Sequence, residues 1–232
     1  MRFIEYLIKK IKGNDFELDK EISLGYLLGN IVSMSLNLIR GNIKTLTAKK
    51  NSMLIFVGKK SKIRMNKKIR LGKGVNIGNY VVIDALSKTG VNIGNNVRIG
   101  DYTRILCTGS LKKLGIGFEI GDNCGIGENC FLGSAGGISI GNDVIMGQNI
   151  RFHSENHNYE DMNIPIRMQG VTNKGIKIGN DCWIGSGVVF LDGSELGNGC
   201  VVGANSIVNR KFDDNSIIVG MPAKEIKKRG EV

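Results

Sequence analysis

Both histidines of this chain, His153 and His157, lie in one polar stretch between residues 153 and 174. The stretch also holds one of the two prolines and interrupts a regular sequence pattern on either side. An imidazole titrates near neutral pH, so a loop histidine can accept or donate a proton under physiological conditions. We therefore expect this stretch to hold the functional site, since loops carry function on rigid scaffolds.

The cysteines and histidines do not predict a metal site. Two histidines, four residues apart in one loop, are fewer than a three-histidine zinc site needs. The sequence has no CxxC pair, and four of the five cysteines fall on positions of the repeat described below. We expect all five to be reduced core residues, as in the cytosol, and no bound metal. They are Cys107, Cys124, Cys130, Cys182 and Cys200.

The sequence around the histidine stretch repeats every six residues. Between residues 176 and 208 every sixth residue is bulky and apolar, and glycine follows four of the six. A second series, which starts at Ile176, is apolar or small. The bulky series is Ile178, Ile184, Phe190, Leu196, Val202 and Val208. The same pattern extends back to about residue 61, with breaks at residues 84–90 and 106–118.

A period of six predicts a solenoid with flat faces, because α-helices have no such period. One residue of each hexad would point inward, small residues would form the corners, and three faces would close a triangular coil of about 18 residues. The predicted fold class is all-β, a parallel β-helix over residues 61–215 with a histidine loop at 153–174. A helical segment over residues 1–60 would precede it, and a short strand and helix over 216–232 would follow.

Composition supports a repeat protein. The chain has 33 glycines but only 2 prolines, which argues against collagen and against disorder. The net charge is +11, and Lys and Arg are concentrated before residue 75 and after residue 209. Because the basic residues fall in two separate regions, we expect each region to have its own reason for being basic, rather than one continuous basic groove. Nucleic-acid binding has only the net charge in its favour.

The N-terminal segment leaves three alternatives open. Residues 1–21 are amphipathic, and residues 22–39 carry no charge. The uncharged segment could be a helix that caps the solenoid, which we favour, a helix that lies on a membrane, or a weak transmembrane span. The basic residues after it suit either anionic lipid or a solvated face. The first residues do not resemble a signal peptide, because charges interrupt their apolar run.

Several segments in order resemble one known family. The tandem hexapeptides, the histidine loop, WIGSGV at 183–188, GANSIVNR at 203–210 and VGMPAKEI at 219–226 are similar to left-handed β-helix acyltransferases. The most similar type is the maltose/galactoside O-acetyltransferases and their relatives in capsule and lipopolysaccharide synthesis. The resemblance covers about residues 61–228. It implies acetyl-CoA as co-substrate and a homotrimer with each active site between two subunits.

The resemblance also implies roles for individual residues. His157 matches the catalytic general base, which takes a proton from the acceptor hydroxyl. Main-chain groups at two small corner residues would contact the pantetheine arm, and four later residues would meet the phosphates. These cofactor positions are Ser186, Ala204, Asn209, Arg210, Lys224 and Lys227. The substrate candidates are His153, Glu155, Tyr159, Arg167 and Gln169.

The acceptor is the open part of this interpretation. The family has an acceptor-binding Asn in the coil before the loop, and the matching position here, near Gly133 and Ser134, has none. The leading hypothesis is O-acetylation of a sugar in a surface polysaccharide or its precursor, in the cytoplasm or at the inner face of the membrane. The alternative is N-acetylation of a nucleotide-linked amino sugar. A zinc hydratase and a non-catalytic scaffold are the other hypotheses.

Overall fold

The computed structural model describes Asp19 and residues 21–231. The amphipathic helix predicted over residues 1–21 therefore lies almost wholly outside the described residues. The described part opens with helix α1, Leu24–Lys44, whose N-cap Ser23 accepts a hydrogen bond from the Tyr26 amide. The chain then winds through three sheets of parallel strands, one strand of each sheet per coil. The fold is a left-handed parallel β-helix, as predicted.

Each face of the coil is one sheet. The first sheet contains β1 Lys49–Lys50, β4 Ile69–Leu71, β7 Gly90–Ile93, β10 Gly117–Ile120, β13 Ile138–Ile140, β18 Ile176–Ile178, β21 Glu195–Leu196 and β24 Lys211–Phe212. The second contains β2 Ile55–Val57, β5 Val75–Ile77, β8 Arg98–Ile99, β11 Gly125–Ile126, β14 Ile145–Met146, β19 Trp183–Ile184, β22 Val201–Val202, β25 Ser216–Gly220 and β26 Ala223–Lys228. The third contains β3 Lys62–Arg64, β6 Val82–Asp84, β9 Arg104–Leu106, β12 Phe131–Gly133, β15 Arg151–His153, β20 Val189–Leu191 and β23 Ile207–Val208. A separate hairpin pairs β16 Asn156–His157 with β17 Val171–Thr172.

The bulky residue of each hexad points into the core, as predicted. Every bulky residue of the 178–208 series is at most 4% exposed. Equivalent residues of successive coils pair in register, as Phe152 pairs with Phe190. Their rings stack with centroids 4.6 Å apart. All five cysteines are buried and free, which confirms that they are core residues.

The corners rely on asparagine and aspartate for their left-handed backbone. Eight of the twelve non-glycine residues with positive φ in the described part are Asn or Asp, the types that tolerate this conformation best. The glycines after the bulky positions have a different role. A Cβ on Gly185 would lie 2.6 Å from the Ala204 nitrogen, so close stacking of coils excludes a side chain there.

Helix α1 is joined to the first coil by its C-terminal end. A Cβ on Gly41 would lie 1.9 Å from the Ile55 carbonyl oxygen, so the helix touches β2 directly. Arg40 donates to the Val57 carbonyl at 2.8 Å, and Lys44 donates to the Ser61 carbonyl at 2.6 Å. Leu27 and Gly41 are the buried residues of the helix. In the described part of the chain, no helix has the length and apolar character needed to cross a bilayer.

Two predictions for the ends of the coil were wrong. The coil begins at Lys49, where β1 pairs with β4, rather than at residue 61. In the first coil Val57 extends the six-residue series of Ile63 and Ile69, but Asn51 does not, and helix α1 packs there on Ile55 and Val57. The predicted C-terminal helix is instead β26, which pairs antiparallel with β25. Pairing with the last strand of the second sheet outweighs the helical propensity of the Lys- and Glu-rich segment.

Insertions into the coil occur at one corner, between the third and first sheets. Residues 85–89, 107–116 and 154–175 all leave the coil there. We call this corner the insertion edge. The corner between the second and third sheets, which includes Ser186 and Ala204, is called the smooth edge.

Candidate active site

The histidine loop is a hairpin on the insertion edge. Strand β16 carries His157 directly opposite Val171 of β17. The Asn158 amide donates to the Gly170 carbonyl at 3.1 Å, and its side chain donates to the Gln169 carbonyl at 3.0 Å. The His157 side chain is exposed, so it can reach a reactant that approaches from outside the protomer.

Buried polar side chains anchor both ends of this loop. At its start, the Ser154 hydroxyl donates to the Gly133 carbonyl and accepts from the Gly136 amide. At its end, Asp192 accepts from the Lys174 amide at 2.8 and 3.0 Å and from the Gly175 amide at 2.8 Å. Asp192 is 8% exposed, and its carboxylate is bonded to the backbone where the loop rejoins the coil. No motif marks Asp192, and the only sequence signal is a charged residue among small ones at a corner.

Two predicted substrate residues lie at the base of the hairpin. His153 stands at the end of β15 with its ring 5.7 Å from that of Phe131. Partial burial, and then the positive charge of Arg151, lower the pKa of His153 below its usual 6.5. This imidazole is therefore held toward its neutral form. Glu155 accepts a hydrogen bond from the Asn173 side chain at 3.2 Å; among the described residues it has no hydrogen bond to His157.

The other predicted substrate residues lie in the outer part of the loop. Tyr159 is 70% exposed, and Arg167 is exposed on a 3-10 turn, Ile166–Met168. Gln169 is occupied within the loop, since its amide group donates to the Asp161 and Ile164 carbonyls and accepts from the Asp161 amide. We therefore regard Gln169 as a residue that shapes the loop.

The outer loop also exposes a large amount of apolar surface. Four aliphatic side chains in it are between 43% and 98% exposed. Large exposed apolar patches mark surfaces that contact another molecule. These side chains are Met162, Ile164, Ile166 and Met168.

Four of the six predicted cofactor residues divide between the two edges. Ser186 and Ala204 stack on the smooth edge one coil apart, where the Asn205 amide donates to the Ser186 carbonyl at 2.9 Å. Asn209 and Arg210 are exposed on the insertion edge, on the same side of the coil as His157.

The remaining two cofactor candidates lie on the terminal hairpin of the second sheet. Lys224 and Lys227 are exposed on β26, where they pair with Val219 and Ile217 of β25. The neighbouring Arg229 bonds to Asp181 at 2.9 Å, beside Trp183, whose side chain is 59% exposed on the outer face of the same sheet. One protomer thus presents the predicted residues on separate surfaces rather than in one pocket.

The described residues contain no group of three or more His, Cys, Asp or Glu side chains arranged to hold a metal ion. The chemistry that they offer is proton transfer by an exposed imidazole and attraction of anions by exposed lysines and arginines.

The fold and the sequence repeats define the class of structure: a β-helix built from hexapeptide repeats. A model of the bacterial transferase hexapeptide, with six repeats, matches residues 175–210, and a model of the hexapeptide repeat of succinyl-transferase matches residues 119–150. These matches confirm the resemblance inferred from the sequence.

Curated relatives carry acetyltransferase names. The chain is 35% identical over 140 residues to a protein of Mycobacterium tuberculosis named as an acetyltransferase; the match covers 60% of this chain and 44% of that one. It is 32% identical over 153 residues to a protein of Escherichia coli named as a lipopolysaccharide biosynthesis O-acetyl transferase, over 63% of this chain and 64% of the other. The chain thus spans less than two thirds of the length of either relative.

A solved structure of the same fold is that of AntD, an N-acyltransferase from Bacillus cereus, in complex with dTDP and coenzyme A. A point mutant of AntD matches with a TM-score of 0.57 and 22% identity, over 82% of this chain and 88% of the other. At this identity the match shows the common β-helical fold.

Proposed function

We propose that this protein is an acetyl-CoA-dependent O-acetyltransferase that modifies a sugar hydroxyl of a surface polysaccharide or its precursor. The observation that carries the proposal is the placement of His157: an exposed imidazole on a hairpin whose two ends are anchored in the coil. The relative named for lipopolysaccharide O-acetyl transfer supports the acceptor class. The coenzyme A bound to AntD supports the donor.

In the proposed reaction His157 is the general base. The acceptor hydroxyl oxygen attacks the carbonyl carbon of the thioester while His157 takes the hydroxyl proton. The new C–O bond forms, the C–S bond breaks, and the proton on His157 passes to the departing coenzyme A thiolate. A backbone N–H group would stabilise the oxyanion of the tetrahedral intermediate. The loop anchors at Ser154 and Asp192 keep the imidazole in place for this transfer.

The residues present suit a phosphorylated cofactor. Lys224, Lys227 and Arg210 are exposed cations that can meet phosphate groups. Ser186 and Ala204 have small side chains, so a pantetheine arm could approach the main chain at the smooth edge. Arg229, which no motif marks, lies on the chain segment that follows β26, where its guanidinium already pairs with the exposed Asp181.

We propose a homotrimer as the active form. The predicted cofactor residues of one protomer lie on two edges and on the second sheet, and the apolar outer loop has no cover in the described residues. A neighbouring protomer that seats its smooth edge against this loop would bring Ser186 and Ala204 to a partner copy of His157. The free buried cysteines agree with a cytoplasmic location.

The proposal is tested with the purified chain, acetyl-CoA and candidate glycans. His157→Gln is expected to lower kcat about 100- to 10,000-fold, which is the usual contribution of a general base. His153→Gln is the matched control, because it removes the other imidazole of the same loop; it should act mainly on KM for the acceptor. Full activity of His157→Gln, or absence of acetyl-CoA binding by the wild type, would refute the proposal.

The alternative acceptor is an amino sugar linked to a nucleotide. AntD, the N-acyltransferase of the same fold, has also been solved with dTDP-4-amino-4,6-dideoxyglucose and coenzyme A, which favours this candidate. Product chemistry separates the two acceptors, because an O-acetyl ester is cleaved by mild alkali, whereas an N-acetyl amide is retained. An acetylated product that survives mild alkali and has lost its free amine would show N-transfer and refute O-transfer.

A further inference from the structure

Helix α1 bears an apolar stripe along its whole length that nothing in the described structure covers. Six large apolar side chains recur at spacings of three or four residues, so they lie on one face of the helix. Each is between 46% and 69% exposed. They are Leu24, Leu28, Val32, Leu36, Ile39 and Ile43. The stripe faces away from Gly41, the residue that packs on the first coil.

The charge around this helix is of one sign. Residues 22–83 contain twelve Lys and Arg and no Asp or Glu, so this segment carries more than the whole net charge of +11. Eight of the twelve side chains are exposed. Among the described residues, only Arg64 of these twelve forms an ion pair, with Asp84. The exposed members are Lys49, Lys59, Lys60, Lys62, Arg64, Lys67, Arg70 and Lys73.

From these two features we infer that helix α1 and the first coils dock on the surface of an anionic lipid bilayer. The stripe would enter the boundary between headgroups and acyl chains, and the basic collar, defined as the eight exposed residues above, would meet lipid phosphates. The helix of 21 residues would lie along the surface, since it is not apolar enough to cross.

The positive charge of the basic collar favours lipid over a second copy of the chain as the partner of the apolar stripe. A helix stripe that paired with the same stripe of another copy would bring two basic collars together, and their repulsion would oppose the contact. An anionic bilayer supplies the opposite charge and an apolar layer in one partner. The helix end is held to the coil by Arg40, Asn42 and Lys44, so binding at the stripe would orient the whole coil.

The test is flotation of the purified chain with two kinds of vesicle, phosphatidylcholine alone and phosphatidylcholine with about 30% phosphatidylglycerol as the anionic lipid. We expect binding to the anionic vesicles that falls as salt rises, and weak binding to the neutral ones. Equal binding to both kinds of vesicle, or binding to neither, would overturn the inference.

Two variants separate the apolar and the charged contributions. Leu28→Gln with Val32→Gln and Ile39→Gln removes half of the stripe without a change of charge and should weaken binding more than about tenfold, given the apolar area lost. Lys59→Gln with Lys62→Gln should weaken binding about fivefold for each charge and flatten the salt dependence.

The matched control lies on a distant loop. Leu111, Lys112 and Lys113 combine an exposed leucine with two lysines on the insertion edge, and their replacement by Gln should leave vesicle binding unchanged. Melting temperatures of all variants check that the coil is intact. If the stripe variant changed the oligomeric mass in light scattering but kept wild-type vesicle binding, the stripe would be an interface between copies and the inference would fail. Acetyl transfer to a soluble acceptor is measured in parallel. A failure of vesicle binding can then be distinguished from a failure of the proposed activity.

Discussion

Replacement of Asp192 tests whether a single buried carboxylate holds the histidine loop in place. The Asp192 side chain is 8% exposed and accepts three hydrogen bonds from the Lys174 and Gly175 amides. A hydrogen bond to a charged group contributes about 1.5–3 kcal/mol. The Asp192→Ala variant frees both amides, but the loop end can lift and expose them to water. We therefore expect a loss of about 3 kcal/mol rather than the sum of the individual bonds.

For a chain of this length a loss of about 3 kcal/mol corresponds to a fall in Tm of about 6–12 °C. Two measurements follow the loop and the coil separately. Circular dichroism reports melting of the coil. Limited trypsin digestion reports the loop, because Arg167 lies in its outer part. We expect faster cleavage after Arg167 at temperatures well below the melting transition, together with lower transfer activity.

Controls define what this result means. Asp181→Ala removes an exposed aspartate that bonds to Arg229 and should leave the loop protected. Asp192→Asn keeps the side-chain volume and one acceptor oxygen, so it should fall between wild type and Asp192→Ala. If Asp192→Ala melted within about 1 °C of wild type with unchanged cleavage after Arg167, the reasoning from its hydrogen bonds would be wrong. A lower Tm without faster cleavage would assign Asp192 to the coil and not to the loop.

Three further predictions concern the coil and the pH dependence. Phe152→Ala should cost about 3–5 kcal/mol in denaturant unfolding, because it leaves a cavity beside Phe190 in a fully buried stack. Asn149 has φ 60°, so Asn149→Ala should be about 1 kcal/mol less stable than Asn149→Gly in the same assay. The fold lowers the pKa of His153, so the unfolded chain binds a proton more readily, and stability should decrease as pH falls below 6.5; His153→Gln should reduce this slope in Tm measured against pH.

The core of this fold could be predicted residue by residue, because an inward hexad position has one physical requirement. Phe190 and Ile184 satisfy it by size and apolarity alone, and both are fully buried. The corners were harder, since two different causes favour small residues there. Gly185 is needed for close approach to the next coil, whereas the positive φ falls on residues such as Asn205.

The ends of the coil could not be predicted from periodicity. Segment 223–228 contains good helix formers, yet it forms β26 because the edge of β25 offers a strand partner. Residues 49–57 pair into the coil with little of the six-residue pattern, and helix α1 packs on them at Ile55 and Val57. In both places a contact outside the repeat determines the structure.

The candidate site was predictable in its parts but not in its arrangement. The histidine loop was found from the interruption of the repeat, and only the resemblance to a known family singled out His157 within it; the structure shows that a hairpin carries this residue. Asp192 was not found, because its role depends on two backbone amides that only the folded loop brings near. Ser186 and Asn209 lie on different edges, and no sequence pattern of one chain shows which edges of two protomers meet.

Because the strands stack in register, the number of coils between two residues on one face sets the distance between them along the coil axis. Neighbouring strands of a sheet lie about 4.8 Å apart, so His153 on β15 stands four strands, or about 19 Å, above Arg64 on β3. The height of the histidine loop above helix α1 can therefore change only in whole steps. Insertion or removal of one complete coil would raise or lower the loop by a single step and leave its orientation and its anchors unchanged, so chains of this design can match acceptors held at different distances from a surface.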